Sequence, residues 1–224
     1  MSRAASPSDL AAAARAAGIG DERVLAAISA TPRAGFVPAD YLAAAYRDEP
    51  IPIGHRQVTT QPSLSARMIE GLHLAGGEHV LEIGTGLGFQ TALLARLAAR
   101  VISIERWPDL ADQARRNLAR QGIGNAQVLA GDGSRGLPEG APYDAILVSA
   151  AFPIRLASIR STRRGSVVSV SGSPPAATRS AKPRAAISTV TRDQTSHQGP
   201  SHCADRQTNI ARRRRRSEER QMST

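Results

Sequence analysis

The chain has 224 residues, 41% hydrophobic but only 3% aromatic, which allows one ordinary domain with an appendage and a core of Ala, Leu, Val and Ile. It has no apolar run near the roughly 18–20 residues of a membrane span, its start (Met1-Ser2-Arg3-Ala4-Ala5-Ser6-Pro7) lacks the apolar stretch of a secretory signal, and its single cysteine, Cys203, has no internal disulfide partner; a cytoplasmic protein without membrane association is expected. The net charge of +10 is unevenly divided: residues 1–153 carry 14 Arg and no Lys against 15 acids, a net of −1, and residues 154–224 carry 14 Arg and one Lys against 4 acids, a net of +11, so the globular part is not a basic nucleic-acid binder.

Residues 9–30 are rich in Ala and Leu at helical spacing, interrupted at Gly18 and Gly20, and predict two short helices. Pro32-Arg33-Ala34-Gly35-Phe36-Val37-Pro38 is a turn-rich connector, residues 39–47 read as helical, and residues 50–61 as an extended loop. A helix opens near Pro62, with an apolar face of Leu64, Met68, Ile69 and Leu72. The pattern then changes. Strands are expected at 79–83, 100–105, 126–130 and 144–149, with helices at 88–98 and 108–121. Such alternation makes βαβ units with right-handed crossovers and a parallel sheet. After Pro153 the periodicity is lost. Residues 165–170 have the composition for one more strand, and residues 212–216 are five consecutive arginines. The segment 154–224 has too little apolar surface to offset the entropy of ordering, and a disordered basic tail is expected.

Three features at strand C-terminal ends carry chemistry, on the edge where open α/β sheets bind ligands. The first is Glu82-Ile83-Gly84-Thr85-Gly86-Leu87-Gly88, between a strand and a helix. A dinucleotide fingerprint needs a third glycine where this chain has Phe89. The spacing Glu-x-Gly-x-Gly-x-Gly is instead the form found in class I methyltransferases, and makes Glu82, Gly84, Thr85, Gly86 and Gly88 candidates for holding S-adenosylmethionine. The second is Glu105, 17 residues after Gly88, which suits two ribose hydroxyls. A solvated strand-end acid paired with Arg106 is the plainer alternative. The third is Gly131-Asp132-Gly133, where Asp132 suits an adenine amino group and Gly133 a close backbone approach; an ordinary turn is the alternative.

The segments 80–92, 103–106, 131–133 and 141–151 resemble protein-L-isoaspartate O-methyltransferases. So do Arg33-Ala34-Gly35-Phe36-Val37-Pro38, Ala45-Tyr46-Arg47-Asp48 and Gln57-Val58-Thr59-Thr60-Gln61-Pro62 upstream. The resemblance covers about residues 20–153. It implies a Rossmann-like, mostly parallel α/β methyltransferase sheet preceded by N-terminal helices. It divides the chain into an N-terminal helical region with a substrate-side loop (1–61), a cofactor-binding core (62–153) and an atypical tail (154–224). It also implies methyl transfer from S-adenosylmethionine to the α-carboxylate of isoaspartyl residues in damaged proteins, by a monomer. The resulting ester collapses to a succinimide, which begins repair.

The residue types agree with that chemistry. A carboxylate acceptor has a reference pKa near ~4 and is already ionised, so no strong base is required, and positioning and desolvation suffice. No His/Cys or Ser/His/Asp constellation and no metal-ligand cluster is apparent. In the family's Gln-Thr-Ile-Ser-Gln-Pro motif the serine is assigned to the active site. Thr60 holds that position here, with Thr59 beside it. Capping of the helix that opens at Pro62 is the alternative role for Thr60.

Family members continue after Ala151 with a proline, a Leu-x-x-Gln-Leu helix, a Gly-Gly turn and an apolar strand. Residues 154–224 do not follow this pattern, and a shift of reading frame would explain the change. The sheet is then incomplete at its C-terminal end, with an exposed edge. Three other readings stand beside repair: a small class I methyltransferase acting on a metabolite, an impaired relative that only binds cofactor, and non-specific nucleic-acid binding through the arginine-rich tail.

Overall fold

The computed structural model describes residues 5–150, together with the backbone of two strands at Thr162–Ser171 and Ala186–Thr191. Cys203 and the arginine run at 212–216 lie outside the described residues, as does most of the expected disordered tail.

Two short helices open the chain, α1 (Pro7–Ala16) and α2 (Glu22–Ser29). The Asp9 carboxylate accepts from the Ser6 backbone N–H at 2.7 Å and from its hydroxyl at 3.0 Å, and Asp21 accepts from the Arg23 N–H at 2.8 Å. Both contacts satisfy groups that a helix start leaves open. The stretch expected to be helical over 39–47 is a 3₁₀ turn at Ala39–Ala44. The expected extended loop contains a small hairpin, β1 (Pro52–Gly54) and β2 (Gln57–Val58). Helix α3 (Pro62–Glu70) follows, with proline in its first turn.

The α/β part consists of β3 (His79–Ile83), α4 (Phe89–Leu97), β4 (Arg100–Glu105), α5 (Pro108–Arg120), β5 (Ala126–Ala130) and β6 (Tyr143–Val148). The sequence-based bounds agree with these to within one residue at each end. Strand β7 (Thr162–Ser171) lies parallel to β6, and β8 (Ala186–Thr191) antiparallel to β7, giving the order β5-β4-β3-β6-β7-β8. Within the stretch expected to be largely unordered, two segments are therefore strands. The first contains the expected 165–170; the second has no counterpart in the sequence reading. Strand β6 is consequently not the sheet edge, contrary to the expectation of four strands ending there. Parallel strands flanked by crossover helices, in this order, make a Rossmann-like class I methyltransferase sheet.

Strand residues alternate between the two faces. Val80, Val101, Val128, Ala145 and Leu147 pack against α1–α5 in one continuous core, which includes Leu10, Leu25, Ile28 and Phe36 from the N-terminal region. The expected boundary between residues 61 and 62 thus does not divide the core. Leu81, Ile83, Ile102, Ile104, Ile146 and Val148 form a second cluster on the opposite face. Burial on both faces is what a parallel sheet requires. Helix α4 is enclosed almost all round; only Arg96 is exposed, and its Nε reaches the Thr31 hydroxyl at 2.9 Å. Among the described residues no helix is long and apolar enough to cross a membrane.

Candidate functional site

The strand order reverses between β3 and β6, and the chain leaves their C-terminal ends in opposite directions, opening a crevice. A cleft of about 280 Å³ lies there, reached by the glycine loop, the ends of β4 and β6, the 131–134 turn and the β1–β2 hairpin. Gly84 has φ +98°, and a Cβ on it would stand 2.9 Å from the Ser149 carbonyl oxygen. Only glycine fits that conformation and that approach. Gly86 and Gly88 are also left-handed, and the Asn117 side chain of α5 donates to the Leu87 carbonyl at 3.0 Å, which fixes the loop.

Glu82, expected among the cofactor contacts, does not line the cleft. Its side chain is fully buried under the loop and accepts from Gln90 Nε2 (3.1 Å), Thr91 Oγ1 (2.5 Å) and Ser103 Oγ (2.6 Å). Burial pushes its carboxyl up to about 7, against the opposing pull of these donors. Glu82 ties α4 to β4, and alternation along β3 turns it to the helix-covered face instead of the ligand edge. The Ser103 hydroxyl that meets Glu82 also lies 2.5 Å from the Thr85 hydroxyl, so the two hydroxyls and the carboxyl form one chain. Thr85 lines the cleft, with its hydroxyl engaged by Ser103.

Glu105 stands at the end of β4, 6% exposed, and lines the cleft. Its carboxylate accepts from the Gly86 N–H at 2.8 Å and the Trp107 N–H at 3.0 Å. The ion pair with Arg106 is not formed; the Arg106 guanidinium lies 5.8 Å from the Trp107 ring. Asp132 also lines the cleft and is at the same time a turn residue, accepting from the Ser134 N–H at 3.0 Å. That bond, with Arg106 and Arg135 nearby, holds its carboxyl below the usual range. Gly133 is buried, and a Cβ there would meet Ile83 Cγ2 at 2.7 Å.

Thr60 lines the cleft, with its hydroxyl 2.9 Å from that of Ser149 just beyond β6. It is not the cap of α3. Gln61 holds that position, and the Ser63 N–H is taken by Asp48 Oδ1 at 2.8 Å. The capping alternative therefore falls. The Thr59 hydroxyl accepts from Arg33 Nη2 at 2.9 Å and from the Ile51 N–H at 3.0 Å. This arrangement makes Thr59 an anchor for the segment that carries Thr60.

Sequence reasoning missed Arg33 and Ser149 as site residues. Arg33 is 0% exposed and donates to the carbonyls of Ala45, Arg47 and Glu49 besides Thr59, gathering the segment 45–59 around one guanidinium. Burial lowers its pKa to about 10, and it stays charged at neutral pH. A lone arginine in a turn-rich connector carries no sequence signal of burial. Ser149 was within reach of reasoning, since it follows an apolar strand at the ligand edge. Two further residues lining the cleft, Ser65 and Gln90, each keep a buried side-chain oxygen without a partner among the described residues. Such oxygens are costly unless a polar ligand satisfies them.

The sequence matches the protein-L-isoaspartate(D-aspartate) O-methyltransferase (PCMT) family over residues 5–157. The chain belongs to this family. A protein-L-isoaspartate O-methyltransferase of Methanoculleus marisnigri is 56% identical over 139 residues, 62% of this chain and 63% of that protein. One from Rhodopseudomonas palustris is 54% identical over 138 residues, 62% of this chain and 56% of that protein. The chain thus spans less than two thirds of these relatives' length. A solved protein-L-isoaspartate O-methyltransferase structure superposes with a TM-score of 0.65 at 29% identity, covering 73% of this chain and 55% of the other. The family match ends close to Pro153, where the charge balance of the sequence changes.

Proposed function

We propose that this chain is a protein-L-isoaspartate O-methyltransferase, moving a methyl group from S-adenosylmethionine to the free α-carboxylate of isoaspartyl residues in damaged proteins. The observation that carries the reading is that Thr60, at the family's active-site serine position, shares one cleft with the glycine loop, Glu105 and Asp132. The residues present fit the cofactor. Glu105 is a carboxylate for ribose hydroxyls, Asp132 and Gly133 suit an adenine edge, and the free oxygens of Ser65 and Gln90 suit polar groups at the amino-acid end. When bound, S-adenosylmethionine supplies a methyl group on a sulfonium, an activated donor.

The work left to the protein is orientation and exclusion of water. In the Thr60–Ser149 pair one hydroxyl donates to the other, so one proton remains to bind an incoming carboxylate. Arg33, through Thr59, holds the loop that sets this geometry. The acceptor carboxylate needs no base, and the buried Glu82 has no path to it. Isoaspartyl proteins and peptides are the partners on this reading, the protein acts as a cytoplasmic monomer, and contact with nucleic acid is limited to non-specific attraction by the arginine-rich tail.

The test is transfer of labelled methyl to an isoaspartyl peptide, with its aspartyl isomer and free small acids as controls. Methylation of small acids alone would sink the repair reading and favour a metabolite methyltransferase. A second reading is favoured by the sequence after Pro153: the chain binds cofactor but is impaired in transfer, because its last third departs from the family. Calorimetric binding of S-adenosylhomocysteine without peptide methylation is its signature. Nucleotide sequence beyond the Pro153 codon tests the frame shift, which fails if no one-base change restores a family-like continuation.

A further inference from the structure

The tip of the β1–β2 hairpin carries His55 and Arg56 at φ +48° and +57°, left-handed conformations that side chains seldom adopt. Such a tip persists when neighbouring contacts hold it. The His55 ring lies flat on the Trp107 indole, with centroids 4.0 Å apart and an interplanar angle of 6°. Its Nε2 is 2.9 and 3.0 Å from the two carboxylate oxygens of Asp109 in the first turn of α5. Beneath the stack, Ile53 of the hairpin packs with Leu87 and Leu110, and Trp107 closes over this cluster.

These contacts cross from one side of the cleft to the other. The hairpin leads directly into Thr59 and Thr60. Trp107 lines the cleft, and its backbone N–H binds Glu105, the residue read above as the ribose acceptor. Among the described residues the indole makes no side-chain hydrogen bond; its orientation comes from the His55 face and the apolar cluster, with Arg106 near the ring.

We propose that His55, held by Asp109, is a positioning residue for the cofactor: it fixes the Trp107 indole as a wall of the nucleoside end of the cleft and straps the hairpin across it. This rests on the cofactor reading above. The ligand class is a purine nucleoside carrying an amino-acid sulfonium, or the thioether left after transfer. On this reading His55 governs how long the ligand stays more than how the methyl group moves.

Trp107 is the sole tryptophan, so its emission reports the stack directly. The experiment follows that emission in the full chain, free and during stopped-flow displacement of S-adenosylhomocysteine, with circular dichroism to establish that each variant is folded. Wild type is expected to change emission on binding. His55→Ala should alter the emission of the free protein and raise the dissociation rate about tenfold, the scale of one lost aromatic contact. His55→Phe keeps a ring on the indole and should bring the rate back within about threefold of wild type. A folded His55→Ala protein with wild-type emission and release rate overturns the strap while leaving the cofactor reading intact. Faster release with no rescue by phenylalanine overturns the stacking role. Failure of wild type to bind the thioether at all overturns the cofactor reading, and the strap with it.

Discussion

The hydroxyls of Thr60 and Ser149 meet at 2.9 Å, although 89 positions separate the two residues. Thr60 arrives on the segment between the hairpin and α3, Ser149 just beyond the end of β6. Their meeting point lies beside Gly84, whose missing Cβ leaves room for the Ser149 carbonyl. This end of the cleft is therefore built by three segments that converge only in the folded sheet.

Thr60→Ala should lower turnover with an isoaspartyl peptide by about 10²-fold, the scale of one misplaced reacting group, with the affinity for S-adenosylhomocysteine changed little. Thr60→Ser should retain most activity. Unchanged turnover in the alanine variant removes Thr60 from the mechanism. If the two hydroxyls act as one unit, Ser149→Ala in the Thr60→Ala background should add less than it does alone.

Glu105→Ala removes the acceptor of two backbone N–H groups as well as the proposed ribose contact. Calorimetry should record at least about a tenfold loss of affinity for both S-adenosylhomocysteine and adenosine. Loss for the former alone would place Glu105 at the amino-acid end instead.

Arg33→Lys keeps the charge but has no planar fork to reach three carbonyls and the Thr59 hydroxyl. Chemical denaturation should find the variant less stable by about 1–3 kcal/mol, the range for unpaired buried acceptors. Peptide KM should rise as the loop carrying Thr60 loosens. A variant as stable as wild type would mean that the loop is held by other contacts.

Burial raises the Glu82 carboxyl from an ordinary 4.5 to about 7, so the folded protein keeps a proton that the unfolded chain has released over that interval. The stability it contributes is fully present below pH 4.5 and is lost as pH rises through about 7. Glu82→Gln, which cannot ionise, should show a flatter dependence of the urea midpoint between pH 5 and 7.5. Parallel curves for the two proteins would show that Glu82 titrates at its ordinary value.

Much of the fold was legible because βαβ units carry strong periodic signals. The stretches 79–83, 100–105 and 126–130 are short apolar runs alternating with helical segments, and their spacing alone placed the glycine loop, Glu105 and Asp132 at one sheet edge. Strand β8 carried no such signal. Its Ala-Ile-Ser-Thr-Val-Thr sequence resembles its surroundings, and strand pairing with a distant neighbour is not a local property. The hairpin at 52–58 was hidden for the same reason, being only two or three residues per strand.

What the sequence by itself determined was the local chemistry: which residues have the type and spacing to turn sharply, present a carboxylate at a strand end or bear a hydroxyl ahead of α3. The tertiary structure decided which of them reach the cleft. It turned Glu82 into the interior, because alternate residues of a strand face opposite sides, and it released Thr60 from helix capping, because Asp48 takes that duty from fifteen residues upstream of Ser63. It also brought Arg33 to Thr59, Thr60 to Ser149 and His55 to Trp107. Those partners lie from 26 to 89 positions apart, and burial and contact at such separations follow from packing and not from local pattern.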